Sequence, residues 1–187
     1  GRLRDPKTWK PIEQATMSYG HGISVSLMQL ARAYSIFCTD GELLPVTLLK
    51  RAEAVEGTPV LQPKTARAMR DMLQLVTQPG GTAPKAQVAG YRVAGKTGTA
   101  HKLVNGAYAP DKYASSFVGL APASAPRLIV AVLIDEPSAG QHYGGQVAAP
   151  VASAVLSGAL RVLSVPPDLP VPRTPIPEVL DPVGEEV

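Results

Sequence analysis

The sequence predicts an α+β fold in which helices cover an antiparallel sheet, and three features carry that reading. Apolar residues recur at helical spacing in two stretches before residue 80, strand-like runs crowd residues 91–135, and a helix rich in small residues follows.

Residues 1–22 read as loop, rich in Gly, Pro and polar positions. Ser26 is the expected N-cap of a first helix, in which Leu27, Leu30, Ala31 and Tyr34 repeat at i, i+3, i+4 and i+7 until Asp40-Gly41 ends it. Val46 to Lys50 and Val60-Leu61 are expected as short strands around the turn Glu56-Gly57-Thr58-Pro59. Pro63 opens a second helix whose stripe is Ala66, Met69, Leu73 and Val76, stopped by Pro79-Gly80-Gly81.

The period then changes. Tyr91 to Ala94, Tyr113 to Leu120 and Arg127 to Asp135 are three strand-like runs, with Asn105-Gly106 between the first two and the Pro-containing segment 121–126 between the others. Both connections suit antiparallel neighbours. Leu128 to Ile134 is apolar on both faces, which predicts a central or doubly covered strand. A last helix is expected from roughly Val147 to Leu163. Residues 1–165 then form the body, and 166–187 form an acidic tail with seven prolines between Pro166 and Pro182, expected to be extended or disordered. Three strands leave sheet edges that need a partner.

The chain has 187 residues, 45% of them hydrophobic and 18% charged, which excludes intrinsic disorder for most of its length. No apolar run approaches the length of a membrane span. Gly1-Arg2-Leu3-Arg4-Asp5 is neither an initiator nor a signal peptide and reads as the start of a piece of a longer chain. Net charge is +3, but the last 23 residues hold five acids against Arg173, so residues 1–164 carry +7. These charges are scattered and form no stripe for nucleic acid. Cys38 is expected as a small buried hydrophobe.

Two motifs compete for one lysine. Residues 90–97 match the phosphate-cradling pattern G-x-x-x-x-G-K-[ST], and the apolar strand ending in Asp135-Glu136 imitates the acidic strand end of an ATPase. The context opposes this. A phosphate loop needs a strand before its first Gly and a helix starting at its Lys, whereas Thr82 to Ala89 is a poor strand and Gly98 to Val104 alternates like one. The other motif is Lys96-Thr97-Gly98-Thr99 on a strand. There a lysine offers a cation to a carboxylate, the threonine hydroxyl adds a hydrogen bond, and Gly98 lets a substrate approach the backbone. The Thr99 N–H can point at a developing oxyanion.

K-T-G is one of the motifs of β-lactamases and penicillin-binding proteins, and residues 16–165 resemble the later part of the transpeptidase domain of class B penicillin-binding proteins of the septal, cell-division type. Gly20-x-Gly22 followed by Val25 to Tyr34 resembles the family's V-T-P-L-Q-L-A-x-A-Y segment, with Ser26, Leu27 and Met28 in place of its Thr, Pro and Leu. Gly90 to Ala100 resembles its active-site strand. Val118 to Ala123 and Tyr143 to Val151 match the next strand and the entry to the last helix. The resemblance implies the later part of a penicilloyl-serine transferase fold, incomplete here. It implies a serine D,D-transpeptidase that cross-links peptidoglycan stem peptides ending in D-Ala-D-Ala and is acylated by β-lactams. By the same resemblance Lys96, Thr97, Gly98 and Thr99 are the active-site residues of this chain. Lys96, Thr97 and Thr99, with His101, Tyr143, Gly144 and Gly145, bound the substrate site. No metal or organic cofactor and no nucleic acid is implied. Septal cell-wall synthesis proteins are the expected partners, on the periplasmic face of the cytoplasmic membrane, held by an anchor upstream.

The family's nucleophile sits in S-x-x-K. No Ser here has Lys three residues later, and Asn105, the only Asn, is not part of S-x-N. By family order both motifs lie upstream, so this chain alone is expected to be inactive. A non-catalytic penicillin-binding-like module and the ATPase remain the alternatives. His21, His101 and His142 lack metal-ligand spacing and are expected as ordinary exposed residues, with His101 able to face the cleft mouth by strand parity. Ser115 and Ser116 have no Lys or His neighbour to activate them.

Overall fold

The computed structural model describes residues 5–170 apart from Tyr19, His21 and Ala54. A 3-10 turn, Pro6–Thr8, precedes helix α1, Pro11–Met17, in the stretch the sequence assigned to loop. Pro11 occupies the first turn, where its missing N–H costs nothing, and the Glu13 carboxylate accepts from the Lys10 N–H at 2.9 Å. Proline signals a loop in mid-chain but is favoured in the first turn of a helix, where Pro11 stands.

Helix α2, Leu27–Cys38, begins at the expected cap. Ser26 Oγ accepts from the Gln29 N–H at 3.1 Å, and the Gln29 side chain accepts in return from the Ser26 N–H at 2.9 Å. Leu30, Ala31 and Tyr34 are half-buried, but Leu27 and Met28 remain 41% and 57% exposed. Cys38 is half-buried, and burial pushes its thiol up to about 11, only partly offset by the Arg70 guanidinium.

The small hairpin is displaced from its expected strands. β1, Glu42–Leu43, pairs antiparallel with β2, Thr58–Pro59, while Leu48 and Leu49 stand 93% and 79% exposed outside any sheet. The reason lies at Gly41, whose carbonyl accepts from the N–H groups of both Val60 and Leu61. Its φ of +109° and the Leu61 backbone beside it admit no Cβ, so the pairing starts at this turn rather than five residues later. Helix α3, Pro63–Leu75, buries Ala66 and Leu73 and half-buries Met69 and Val76, as its stripe requires.

β3 is Ala94–Val104, β4 is Ala107–Ala121 and β5 is Leu128–Asp135, antiparallel in the order β3-β4-β5. The Asn105-Gly106 turn joins the first two, with φ +52° and +82°. One expectation needs correction, and one is narrowed to a single alternative. The first strand does not start at Tyr91, which makes only an isolated bridge to Val88 and whose hydroxyl donates to the Val165 carbonyl at 2.6 Å. Of the two readings of the doubly apolar strand β5, central or doubly covered, the second holds: within the described sheet β4 is central and β5 lies outside it. Covering, rather than centrality, explains its composition. Val130, Val132 and Ile134 pack on the face with Phe117 and the alanines of the last helix, and Ile129 packs on the other with Leu73, Tyr34 and Phe37.

The last helix is divided. Gly144–Val147 forms a short turn, α4, and Ala149–Val162 forms α5, with Pro150 in the first turn of the latter. Pro150 has no N–H for a continuous ladder, so the chain restarts at Ala148. Ala149, Ala152, Leu156 and Leu160 are buried against the sheet.

The ordered body also extends past residue 165. Asp168 accepts from the Arg92 N–H at 2.7 Å and from the Ser124 hydroxyl at 2.6 Å, and the Asp168 and Leu169 N–H groups both donate to the Gly90 carbonyl. The tail is expected to be extended or disordered from 166; residues 166–170 form no helix or strand, and Asp168 holds them to Arg92 and Ser124, both far away in sequence. Residues 171–187 lie outside the described ones. Asp168→Ala is expected to lower stability by about 2 kcal/mol, the scale of hydrogen bonds to a charged group, measured by denaturant midpoint. A loss below about 0.5 kcal/mol, the level of an ordinary surface substitution, would show that the strap adds nothing. Among the described residues no helix is long and apolar enough to cross a membrane.

Candidate active site

Lys96 to Thr99 lie in the first half of β3, inside a strand that continues to Val104. No helix begins at Lys96, and a 3-10 turn, Pro84–Ala86, precedes Gly90 where a phosphate loop requires a strand. The G-x-x-x-x-G-K-[ST] match is therefore not a phosphate loop, and the ATPase reading falls.

The strand alternates around the motif. Thr97 and Thr99 share one face with the 143–146 segment, and these residues together with Thr82 line a pocket of about 300 Å³. Thr97 Oγ1 lies 3.1 Å from Thr82 Oγ1, and Thr99 Oγ1 accepts from the Gly144 N–H at 3.0 Å. A Cβ at Gly144 would meet the carbonyls of Ser116 and Gly98, and one at Gly145 the carbonyl of Thr82. Backbone cannot yield as a flexible side chain does, so glycine is required at both. The loop thereby approaches the strand closely enough to wall the pocket.

On the opposite face Gly98 pairs with Ser116, whose Oγ lies 2.5 Å from where a Gly98 Cβ would be. Gly98, Ala100 and Ser116 help floor an open groove of about 580 Å³, bordered by Ile23, Val25 and His101. Ile23 and Val25 remain 43% and 48% exposed along it. A further cavity of about 530 Å³ lies at the entry to β3, beside Gln87, Tyr91 and Leu169, and contains none of the K-T-G residues.

Lys96 is exposed. Its Nζ donates to the Thr97 carbonyl at 2.9 Å, and among the described residues it makes no ion pair. Lys102 behaves differently. It bridges Asp135 at 2.8 Å and Glu136 at 2.7 Å, and those two hydrogen bonds, Asp135 first, hold its pKa above the usual lysine value. Asp135 and Glu136 thus close the far end of the sheet in ion pairs with Lys102 and Lys112. Of the two lysines on β3, Lys96 is the one without a carboxylate partner among the described residues.

His101 lies on the same strand, with its Nδ1 2.9 Å from the Ala109 carbonyl and its ring 4.5 Å from that of Tyr113. His142, expected as an ordinary exposed histidine, is half-buried between Tyr113 and Tyr143. Ser115 is buried and donates to the His142 carbonyl, so it serves as a brace. His21 falls outside the described residues. Among the described residues no cluster of His, Cys, Asp and Glu could hold a metal ion. Sequence reasoning missed Thr82, Tyr113 and His142 as neighbours of the site. Thr82 sits 14 residues before Lys96 with no motif of its own, and only chain folding brings it there.

The penicillin binding protein transpeptidase domain matches residues 3–157. The probable peptidoglycan D,D-transpeptidase PenA of Neisseria flavescens is 51% identical over 174 residues, covering 93% of this chain and 44% of the relative. The peptidoglycan D,D-transpeptidase FtsI of Escherichia coli is 41% identical over 168 residues, 90% of this chain and 29% of that one. The apo structure of the TP domain from Burkholderia pseudomallei penicillin-binding protein 3 superposes with a TM-score of 0.85 at 56% identity, covering 91% of this chain and 52% of that one. The chain thus spans less than half the length of these two curated relatives. With the K-T-G strand, its glycine-walled pocket and the sheet order all in place, the chain belongs to the penicillin-binding protein transpeptidase domain family.

Proposed function

We propose that this chain supplies the K-T-G wall of a serine D,D-transpeptidase that cross-links peptidoglycan stem peptides in septal cell-wall synthesis. The observation that carries the reading is the grouping on β3: an unpaired lysine cation, with two threonine hydroxyls facing one pocket. Such a set suits a carboxylate, the terminal group of a stem peptide and of a β-lactam alike. Lys96, Thr97 and Thr99 bind that carboxylate. The Thr99 N–H contributes to the oxyanion hole, and Gly98 leaves the backbone open to substrate. His101, Tyr143, Gly144 and Gly145 form the border.

In this reading a serine from an S-x-x-K segment attacks the carbonyl of the penultimate D-Ala. The C–N bond to the terminal D-Ala breaks, and D-Ala leaves with the proton taken from the serine. The amine of a second stem peptide then attacks the acyl-enzyme, forming the cross-link and returning the serine. No metal or cofactor takes part. β-Lactams acylate the same serine. The whole protein works with septal synthesis proteins at the periplasmic face of the cytoplasmic membrane, held by an anchor outside these residues.

Fluorescent penicillin tests the reading. The intact protein becomes labelled on one serine outside these 187 residues, and the present chain purified alone takes up no label. Covalent labelling of any serine within the chain overturns the assignment of roles, and an intact protein that no penicillin labels overturns the function.

A further inference from the structure

Four rings follow one another in a continuous ladder beside the pocket, the middle pair stacked and the two outer pairs each tilted by 40°. His101 and Tyr113 lie 4.5 Å apart, Tyr113 and His142 lie 4.0 Å apart with planes inclined by only 12°, and His142 and Tyr143 lie 4.4 Å apart. The rings come from three places in the chain: His101 from β3, Tyr113 opposite it on β4, and His142 with Tyr143 from the segment entering α4. The sheet end of the ladder is fixed. His101 Nδ1 meets the Ala109 carbonyl at 2.9 Å, and the Tyr113 hydroxyl donates to the Pro110 carbonyl at 3.1 Å. The loop end rides on it. Ser115 donates to the His142 carbonyl, and two residues later the Gly144 N–H reaches Thr99.

That last bond decides how Thr99 is used. A hydroxyl has one proton and two lone pairs. Because Thr99 Oγ1 accepts from Gly144, its own proton is left to be donated, and a donor is what a carboxylate requires. Withdrawing Gly144 frees the hydroxyl to turn its proton elsewhere. His142 is the rung joining the fixed sheet end to the loop, with Tyr113 on one side and Tyr143 on the other.

We propose that His142 is a positioning residue: stacked on Tyr113 and in tilted contact with Tyr143, it holds the Gly144 N–H on Thr99 and so commits the Thr99 hydroxyl as a donor to the ligand carboxylate. The loop-holding half stands on geometry alone, and the carboxylate half rests on the transpeptidase reading above.

The test uses the intact protein with His142→Ala, His142→Gln and His142→Phe. Hydrogen exchange at the Gly144 amide, measured without ligand, is expected to accelerate about tenfold in the alanine and glutamine variants, which lose the ring. It should stay within about threefold of the wild type in His142→Phe, which keeps a stacking plate. Penicillin acylation should follow the same order, about tenfold slower without the ring and restored by phenylalanine. If His142→Ala does not fold, His142→Gln carries the comparison. Unchanged exchange in the ringless variants, or phenylalanine behaving like alanine, overturns the ladder's role. Faster exchange with unchanged acylation overturns the commitment of Thr99. A wild-type protein that no penicillin labels overturns the transpeptidase reading and the carboxylate half with it, and exchange still decides the loop-holding half.

Discussion

Replacing Lys96 by alanine in the intact protein is expected to slow penicillin acylation by roughly 10- to 150-fold. A hydrogen bond from a charged donor to the carboxylate contributes about 1.5–3 kcal/mol, and each 1.36 kcal/mol is tenfold in rate. The surroundings of Lys96 make this a clean substitution. The side chain is exposed, it pairs with no acid among the described residues, and its one hydrogen bond goes to the adjacent Thr97 carbonyl. The melting temperature should therefore hardly move. A penicillin analogue lacking the carboxylate should react equally with wild type and variant, because the group that Lys96 is proposed to bind is absent. Lys102 is the internal control. Lys102→Ala removes a cation from the same strand but one already paired with Asp135 and Glu136, so acylation should be unaffected. Wild-type acylation by Lys96→Ala, or its collapse on heating, would make Lys96 structural and remove it from the site.

Phe117→Ala is expected to cost about 3–5 kcal/mol of stability, the range for removing a buried aromatic ring. Phe117 is fully buried on the central strand, directly opposite Thr97 in the register. Its ring occupies space that two glycines leave open. A Cβ at Gly95 would lie 2.5 Å from Phe117 Cζ, and one at Gly119 would lie 2.7 Å from Cε1. The rest of its buried neighbours are alanines, Ala83, Ala86, Ala148, Ala149 and Ala152. Alanine side chains cannot swing into the vacated volume, and the half-buried Val130, Val132 and Ile134 that also pack there are β-branched and stiff, so most of the cavity persists. The melting temperature should fall by roughly 6–20 °C, and the denaturant midpoint should drop without a change in slope. A loss under about 1 kcal/mol would show that α5 settles onto the sheet and closes the gap.

Local physics made much of this chain legible in its residues. Ser26 capping α2, the stripe of α3 and the Asn-Gly turn between β3 and β4 each rest on groups within a few positions of one another. Propensity and capping act over that range. The same holds for Lys96 to Thr99 as a strand: the alternation after Gly98 by itself distinguishes the K-T-G reading from the phosphate-loop match. The structure departs from the local signals where a partner distant in sequence overrides them. Asp168 ties five proline-rich residues to Arg92 and Ser124, and Gly41 draws Val60 and Leu61 into a hairpin that the apolar run at 46–50 does not join. Pro11 misled for a smaller reason, since its meaning depends on whether it stands at N1 or in a loop.

By itself the sequence determined the fold class, the family resemblance, the K-T-G segment and the lack of S-x-x-K within these residues. All four are properties of residue order, readable along the chain. Tertiary structure decided which lysine is unpaired. Lys96 and Lys102 are both cations on one strand, but only Lys102 meets carboxylates, brought to it by the end of β5. It also decided that Thr82, Gly144 and Gly145 wall the pocket, and that His142 lies between two tyrosines. Those contacts join residues tens of positions apart. Their energies depend on distance and orientation in space, which sequence separation does not encode.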